Sequence, residues 1–374
     1  MRQITGALAL VLSFTFAPFS AEADAGTDHQ QEQLRPLPLG TSGGNELDAS
    51  RTFCCGGTLG ALVRDADGID YVLSNNHVLA RTNAASPGEG VIQPGLIDVL
   101  CRPDPGLRVA ALSRFVPILF NGTANRVDAA IAATVSGAVD SSGAILDIGI
   151  PAPEIVPPAL GMAVQKSGRT TGHTFGTIEA LNVTVDVAYG KRCGQGRQIA
   201  RFVDQILVTP GSFSAGGDSG SLVIEAAATS PRAVGLLFAG GDAHTLLNPI
   251  ADVLASLCIG MPGAASYPDP SACAVADGGG DGGDSGGGGP PPGRGWNRGD
   301  AVRGLERAAS VQAAHQDRLL ALDGVVGVGI SVDRDTAVLE VYVEALSAGL
   351  ERRLPGTLDG IAIRPVVTGS FEAF

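Results

Sequence analysis

Between residue 56 and about residue 261 the chain alternates short apolar runs with clusters of Gly, Pro, Asn and Asp. The runs 58–63, 71–73, 108–115, 127–132, 176–188, 202–208, 221–224 and 233–238 are rich in apolar and β-branched residues. Runs of this length between turn residues predict strands, and many in succession predict a β-barrel or sandwich. At 248–257 the period changes. Ile250, Val253, Leu254 and Leu257 fall at helical spacing, which predicts a closing helix. Residues 277–300 are almost all Gly, Asp, Pro and Ser. Such a segment cannot bury enough apolar surface to offset its ordering entropy, so it reads as a flexible linker. Beyond it, 302–322 has amphipathic helical spacing through Leu305, Ala308, Ala309, Leu319 and Leu320. Strands at 325–332 and 337–343, a short helix at 345–353 and a strand at 361–367 complete a compact α+β module. The expected organisation is a polar leader over 24–50, irregular or removable, a β domain over 51–263, a linker over 264–300 and an accessory domain over 301–374.

Ahead of these, Arg2, an apolar stretch over 7–19 and Ala21-Glu22-Ala23 have the form of a secretory signal peptide over 1–23. The stretch is short for a membrane span, which needs about 20 apolar residues. No membrane span is therefore expected in the mature chain. All six cysteines (Cys54, Cys55, Cys101, Cys193, Cys258 and Cys273) lie beyond the cleavage site. An even count in an exported chain predicts disulfides, whose pairing the sequence leaves open. The net charge of −13 comes with no lysine–arginine cluster, which argues against nucleic acid as a partner. No Cys-x-x-Cys or Cys/His spacing supports a metal, and no cofactor is expected.

The most specific chemical signal is Gly216-Gly217-Asp218-Ser219-Gly220. A nucleophilic serine needs a tight turn and backbone N–H groups aimed at the developing oxyanion. The glycines permit those dihedrals, and the N–H groups of Gly217 and Ser219 are the predicted oxyanion hole. His77 follows an apolar strand and the small polar residues Ser74-Asn75-Asn76, a place from which an imidazole can serve as general base. Asp128 sits inside the apolar run 127–132, where a carboxylate is costly unless paired. A histidine Nδ1–H is a fitting partner. His173 and His244 are rival bases, and Asp98 is the rival acid. The order His, Asp, Ser along the chain separates this set from the subtilisin and α/β-hydrolase orders.

These motifs, together with the run Lys166-Ser167-Gly168-Arg169-Thr170-Thr171-Gly172, resemble the bacterial alpha-lytic protease and streptogrisin type of chymotrypsin-like serine protease. The resemblance covers roughly 56–260. It implies two six-stranded β-barrels with the active site between them and endopeptidase activity on proteins or peptides. By position it implies His77 as base, Asp128 as its orienter and Ser219 as nucleophile. It also implies a buried Asp218 paired with a basic residue, which here is Lys166 where arginine is expected. Such an internal partner would make activity independent of a newly freed N-terminus. Phe213 stands where a pocket residue is expected, and Phe238-Ala239-Gly240 where substrate backbone pairs as an added strand. No acidic residue stands at the pocket base, so a preference for Lys or Arg is not implied. The cysteines that the family places around the histidine and the pocket are missing. The accessory domain is open to three roles, namely folding helper, inhibitor or target binder, and contact with the protease domain is one expectation.

Three other classes fit parts of the sequence, and one, a cell-surface adhesin stabilised by disulfides, would explain the linker and export but not the ordered His, Asp and Ser contexts. A catalytically silent protease-fold binding protein would have lost a member of the His77, Asp128 and Ser219 set, and none is lost. A serine esterase of hydrolase type would carry Gly-x-Ser-x-Gly in a βαβ context, which is lacking here. The sequons at Asn121 and Asn182 are short and common by chance.

Overall fold

The computed structural model describes residues 28–50, 53–190, 196–227, 229–268 and 304–373. The expected signal peptide and the glycine-rich linker at 277–300 lie outside the described residues. In chain order the first part holds β1 (Thr41–Asn45), β2 (Gly57–Leu59), β3 (Ala61–Arg64), β4 (Asp70–Ser74), α1 (Asn76–Leu79), β5 (Gly90–Ile92), β6 (Arg108–Phe115) and β7 (Ala130–Thr134). They pair in the order β2-β1-β5-β6-β7-β4-β3, all antiparallel. Only Gly60 separates β2 from β3, so the two ends of the sheet are one bent strand and the barrel closes with six strands. The bend requires glycine: a Cβ on residue 60 would lie 1.8 Å from the Gly220 carbonyl oxygen.

The second part holds β8 (Ala163–Gly168), β9 (Gly172–Tyr189), β10 (Gln198–Thr209), β11 (Leu222–Glu225), β12 (Ala233–Gly240), β13 (Thr245–Pro249) and α2 (Ile250–Leu257). The pairings run β8–β9–β10–β13–β12–β11 and return from β11 to β8. This too is a closed six-stranded antiparallel ring. Closure pairs the strands within each ring, while β9 and β12 run beyond it and keep an edge there. Each is filled by aliphatic side chains: Leu59, Val63, Val72, Leu73, Val109 and Ile131 in the first, and Val164, Ile178, Ile206, Val223, Val234 and Leu247 in the second. Helix α2 buries Ile250, Val253, Leu254 and Leu257, the four residues that the helical spacing selected.

The remaining residues form α3 (Leu305–Leu320), β14 (Val325–Asp333), β15 (Thr336–Val343), α4 (Ala348–Glu351), β16 (Thr357–Leu358), β17 (Ile361–Val367) and β18 (Phe371–Ala373). Its sheet is continuous with the second barrel, because β14 pairs antiparallel with β9. Helix α3 packs its Ala308 and Val311 on Ile330, Leu339 and Ile361.

The segment 28–50 differs from the irregular leader that its polarity suggested. Leu37 and Leu39 are fully buried in the first barrel, and β1 pairs with both β2 and β5. Its strand reads Thr-Ser-Gly-Gly-Asn, a turn composition. The residues are extended because neighbours press on them: a Cβ at Gly43 would lie 2.4 Å from Leu59. Residues of this segment thus pack in the first barrel, and the His29 ring contacts the Gly40 carbonyl at 2.9 Å. Among the cysteines, Cys54 bonds Cys101. Cys55 and Cys258 are disulfide-bonded as well, and Cys193 and Cys273 lie outside the described residues.

Candidate active site

The first barrel supplies a histidine and an aspartate. Strand β4 ends at Ser74 and the single turn α1 carries His77 away from the barrel rim. Asp128 lies two residues before β7, fully buried, and is held from several sides. His77 Nδ1 is 2.5 Å from Asp128 Oδ2, and the His77 backbone N–H donates to Oδ1 at 3.2 Å. The Asp128 backbone is tied down in turn: its N–H donates to Asn248 Oδ1 and its carbonyl accepts from Asn75 Nδ2. A carboxylate on Nδ1 sets the imidazole tautomer, leaving Nε2 to act as proton acceptor.

One further donor reaches this carboxylate. The Tyr189 hydroxyl, at the end of β9, donates to Asp128 Oδ2 at 2.8 Å, and its ring meets the His77 ring edge-on at 5.9 Å. Burial first, then the Asp128 charge and hydrogen bond, hold the phenol well above its usual range, so it stays a donor. Sequence reasoning missed Tyr189. The only signal was a lone tyrosine closing an apolar strand, which more often marks core. Tyr189→Phe is expected to lower kcat/KM about 10-fold, the worth of roughly 1.4 kcal/mol of positioning. Loss of the competing donor makes Asp128 a stronger acceptor for His77. The acid limb of the pH–kcat/KM profile should therefore move to higher pH, a shift that a packing defect alone would not produce.

The second barrel supplies the serine. Asp218 and Ser219 lie between two glycines of positive φ, Gly217 at 100° and Gly220 at 93°. Both sites exclude side chains: a Cβ on Gly220 would lie 2.1 Å from Ser74 Oγ and 2.3 Å from the Thr58 carbonyl oxygen. The turn is thus pressed against the first barrel. Thr58 N–H donates to the Ser219 carbonyl at 2.8 Å, and a Cβ on Gly57 would touch both Val78 and Ser219 O. That contact brings the serine turn beside the residue following His77. Among the described residues the N–H groups of Gly217 and Ser219 take no acceptor, as a pair of donors kept for an oxyanion requires. The Ser219 hydroxyl donates to the Phe238 carbonyl at 3.1 Å.

Beneath the turn lies a buried charge pair. Lys166 Nζ is 3.5 Å from Asp218 Oδ2, both side chains without exposed surface. The Asp218 carboxylate also accepts from the backbone N–H groups of Thr170, Thr171 and Ala215 and from Thr171 Oγ1. The rival candidates are committed elsewhere. Asp98 pairs with Arg169 at 2.5 Å, His173 meets Gln165 at 2.8 Å and His244 faces Glu179 at 3.4 Å.

The pocket residues divide. The Phe213 ring is fully buried among Val164, Ile178, Val208 and Leu247. Phe238 and Ala239 are buried in an aromatic cluster with Tyr189, Phe202 and Phe371. Gly240 follows at the end of β12.

Near His77 a carboxyl stands out. Burial pushes Asp48 up to about 6, with the charges of Arg81 and His77 acting against that rise. Its value in the folded chain lies above the ordinary 3.8, so its contribution to stability is full below 3.8 and is lost as pH rises through about 6. Asp48→Asn is expected to remove that loss, stabilising the chain at neutral pH by up to about 2 kcal/mol once partial solvation is allowed for. Urea midpoints of both proteins below 3.8 and at neutral pH measure it, and parallel curves would refute it.

Among the described residues no group of three or more His, Cys, Asp or Glu is placed to hold a metal ion, and no helix is long and apolar enough to cross a membrane. No family model and no curated protein matches the chain. Solved structures similar to it include a glutamic-acid-specific serine protease described as using a novel histidine triad in substrate binding. It is 20% identical with a TM-score of 0.39, over 60% of this chain and 100% of that one. A Nocardiopsis protease is 19% identical at a TM-score of 0.38, over 55% of this chain and 92% of that one. Protease A of Thermobifida fusca is 18% identical at 0.38, over 60% and 97%. Two closed six-stranded antiparallel barrels, with the histidine and aspartate on the first and the serine turn of the second pressed against it, give the chain a chymotrypsin-like fold extended by an α+β module.

Proposed function

We propose that the protein is a secreted serine endopeptidase that hydrolyses peptide bonds through His77, Asp128 and Ser219. The observation that carries this reading is the buried Asp128 carboxylate, bound to His77 Nδ1 at 2.5 Å, opposite a serine turn between two glycines of positive φ. In the reaction the Ser219 hydroxyl leaves the Phe238 carbonyl and turns to His77 Nε2, which takes its proton as Oγ attacks the scissile carbonyl. The oxyanion forms against the Gly217 and Ser219 N–H groups. His77 passes the proton to the leaving amine, and water repeats the sequence on the acyl-enzyme. Asp128 accepts the Nδ1–H and steadies the imidazolium. Substrate backbone adds to the edge of β12 at Ala239 and Gly240 as a strand. Export is supported by the signal-like N-terminal residues and by the Cys54–Cys101 disulfide.

A fluorophosphonate probe tests the reading. The wild-type chain should be labelled and Ser219→Ala should not. Peptide hydrolysis with the same dependence distinguishes a peptidase from an esterase, which would turn over only esters. A folded chain that neither labels nor hydrolyses, even after residues 371–374 are deleted, would identify a silent binding protein instead.

A further inference from the structure

The edge of β12 that a substrate strand needs is already covered. Ala239 pairs with Ala373 and Gly240 with Glu372, antiparallel, as a bound peptide would. On its other side β18 pairs in parallel with β9, Phe371 opposite Val187 and Glu372 opposite Ala188. The three residues thus lie between two strands of the second barrel. Phe371 is fully buried in the aromatic cluster with Phe202, Phe238 and Tyr342, 6.2 Å and nearly perpendicular to the last. The chain leading to it crosses Gly241, where a Cβ would lie 3.2 Å from the Thr368 carbonyl oxygen. Ser219 is 0% exposed, although a nucleophile must be reached by its substrate.

The module is moored independently of this strand. β14 extends the sheet along β9, with Val328 opposite Thr184 and Ile330 opposite Leu181. Asn182 Nδ2 donates to Gln312 Oε1 at 2.9 Å, Gln312 Nε2 donates to the Asn182 carbonyl at 2.7 Å, and Thr184 Oγ1 donates to Gln316 Oε1 at 3.0 Å. Asn182 is therefore engaged by α3. A three-residue strand alone binds weakly. Mooring the module turns its docking into an intramolecular event with a high effective concentration.

We propose that the 305–373 module is an intramolecular inhibitor of the peptidase, and that β18, anchored by Phe371, occupies the β12 edge in place of substrate backbone. The inhibitory role rests on the reading of the site as a peptidase; the strand site does not. Its partner is an extended peptide with an aromatic side chain two residues before the one opposite Ala239. Such a peptide and β18 exclude each other, and activation consists of releasing or cutting the segment that follows β17.

The test uses the full chain with two opened variants, Phe371→Ala and deletion of 371–374, each with and without Ser219→Ala. The deletion guards against a folding defect from truncating one buried ring. Binding of a fluorescein-labelled peptide of residues 368–374 to the Ser219→Ala forms is followed by anisotropy, and peptide hydrolysis is measured with the Ser219 forms. We expect the opened forms to bind the peptide at least tenfold more tightly and to hydrolyse substrates at least tenfold faster. Equal affinity for closed and opened forms overturns the proposal, whatever the hydrolysis. Tighter binding without hydrolysis by any form overturns the peptidase reading and with it the inhibitory role.

Discussion

Asp128→Asn is expected to lower kcat about 10⁴-fold while the chain stays folded. The carboxylate makes three contacts at once: His77 Nδ1 on Oδ2, Tyr189 Oη on the same oxygen, and the His77 backbone N–H on Oδ1. An asparagine oxygen can satisfy the backbone N–H, but its NH₂ then faces the imidazole. Nδ1 becomes an acceptor, the ring proton moves to Nε2, and Nε2 can no longer take the proton of Ser219. The same flip sets the NH₂ against the Tyr189 hydroxyl, which can rotate to accept. The fold should survive, because no charge is left uncompensated and the backbone ties from Asn248 and Asn75 remain. Turnover of a peptide substrate by Asp128→Asn, in the wild-type chain and with Phe371→Ala, checks the magnitude. A fall of less than tenfold in both would remove Asp128 from its assigned role.

The parts of this arrangement that the sequence displays are those governed by local chemistry. The run 108–115 stands out because its apolar residues are bounded by Pro and Gly-rich turns, and it forms β6 with those limits. Helix α2 stands out because four apolar residues share one face. The serine turn is visible because glycines flank Asp218 and Ser219, at two positions where φ is positive. What stays hidden is fixed by distant partners. β1 has a turn composition and is extended only because Leu59, Val91 and Ile92 close on it. β8 contains Gln165, Lys166 and Ser167, polar residues whose burial is compensated by Glu225 O, Asp218 and neighbours far along the chain. β18 is three residues long, below the length at which alternation can be recognised, and its place depends wholly on β9 and β12. Tyr189 joins the site by a contact 61 residues from Asp128.

The buried pair under the serine turn should respond unequally to loss of its two members. Asp218→Ala is expected to destabilise the chain by about 3–5 kcal/mol, the cost of leaving a buried charge without its partner. Lys166→Met should cost less, about 1–2 kcal/mol, since Asp218 keeps four other donors. Burial lowers the Lys166 ammonium below the ordinary value of 10.5, and Asp218 opposes that fall. Without Asp218 the lysine drops further and folds neutral. The unfolded chain then binds the extra proton, so stability rises with pH until the ordinary lysine value is passed. The deficit of Asp218→Ala should therefore shrink as the solution is made alkaline, whereas that of Lys166→Met should not. The same carboxylate joins Thr170 and Thr171 to Ala215 across the base of the turn, which aims the Gly217 and Ser219 N–H groups. Asp218→Ala should thus also lose about 10- to 100-fold in kcat, a fraction of what removing an oxyanion donor outright would cost. Urea unfolding of the two single variants and the double variant separates these effects. If Lys166→Met proves as damaging as Asp218→Ala at every pH, the lysine's own bonds to Thr171 Oγ1 and the Gly172 carbonyl, rather than the charge pair, hold the turn.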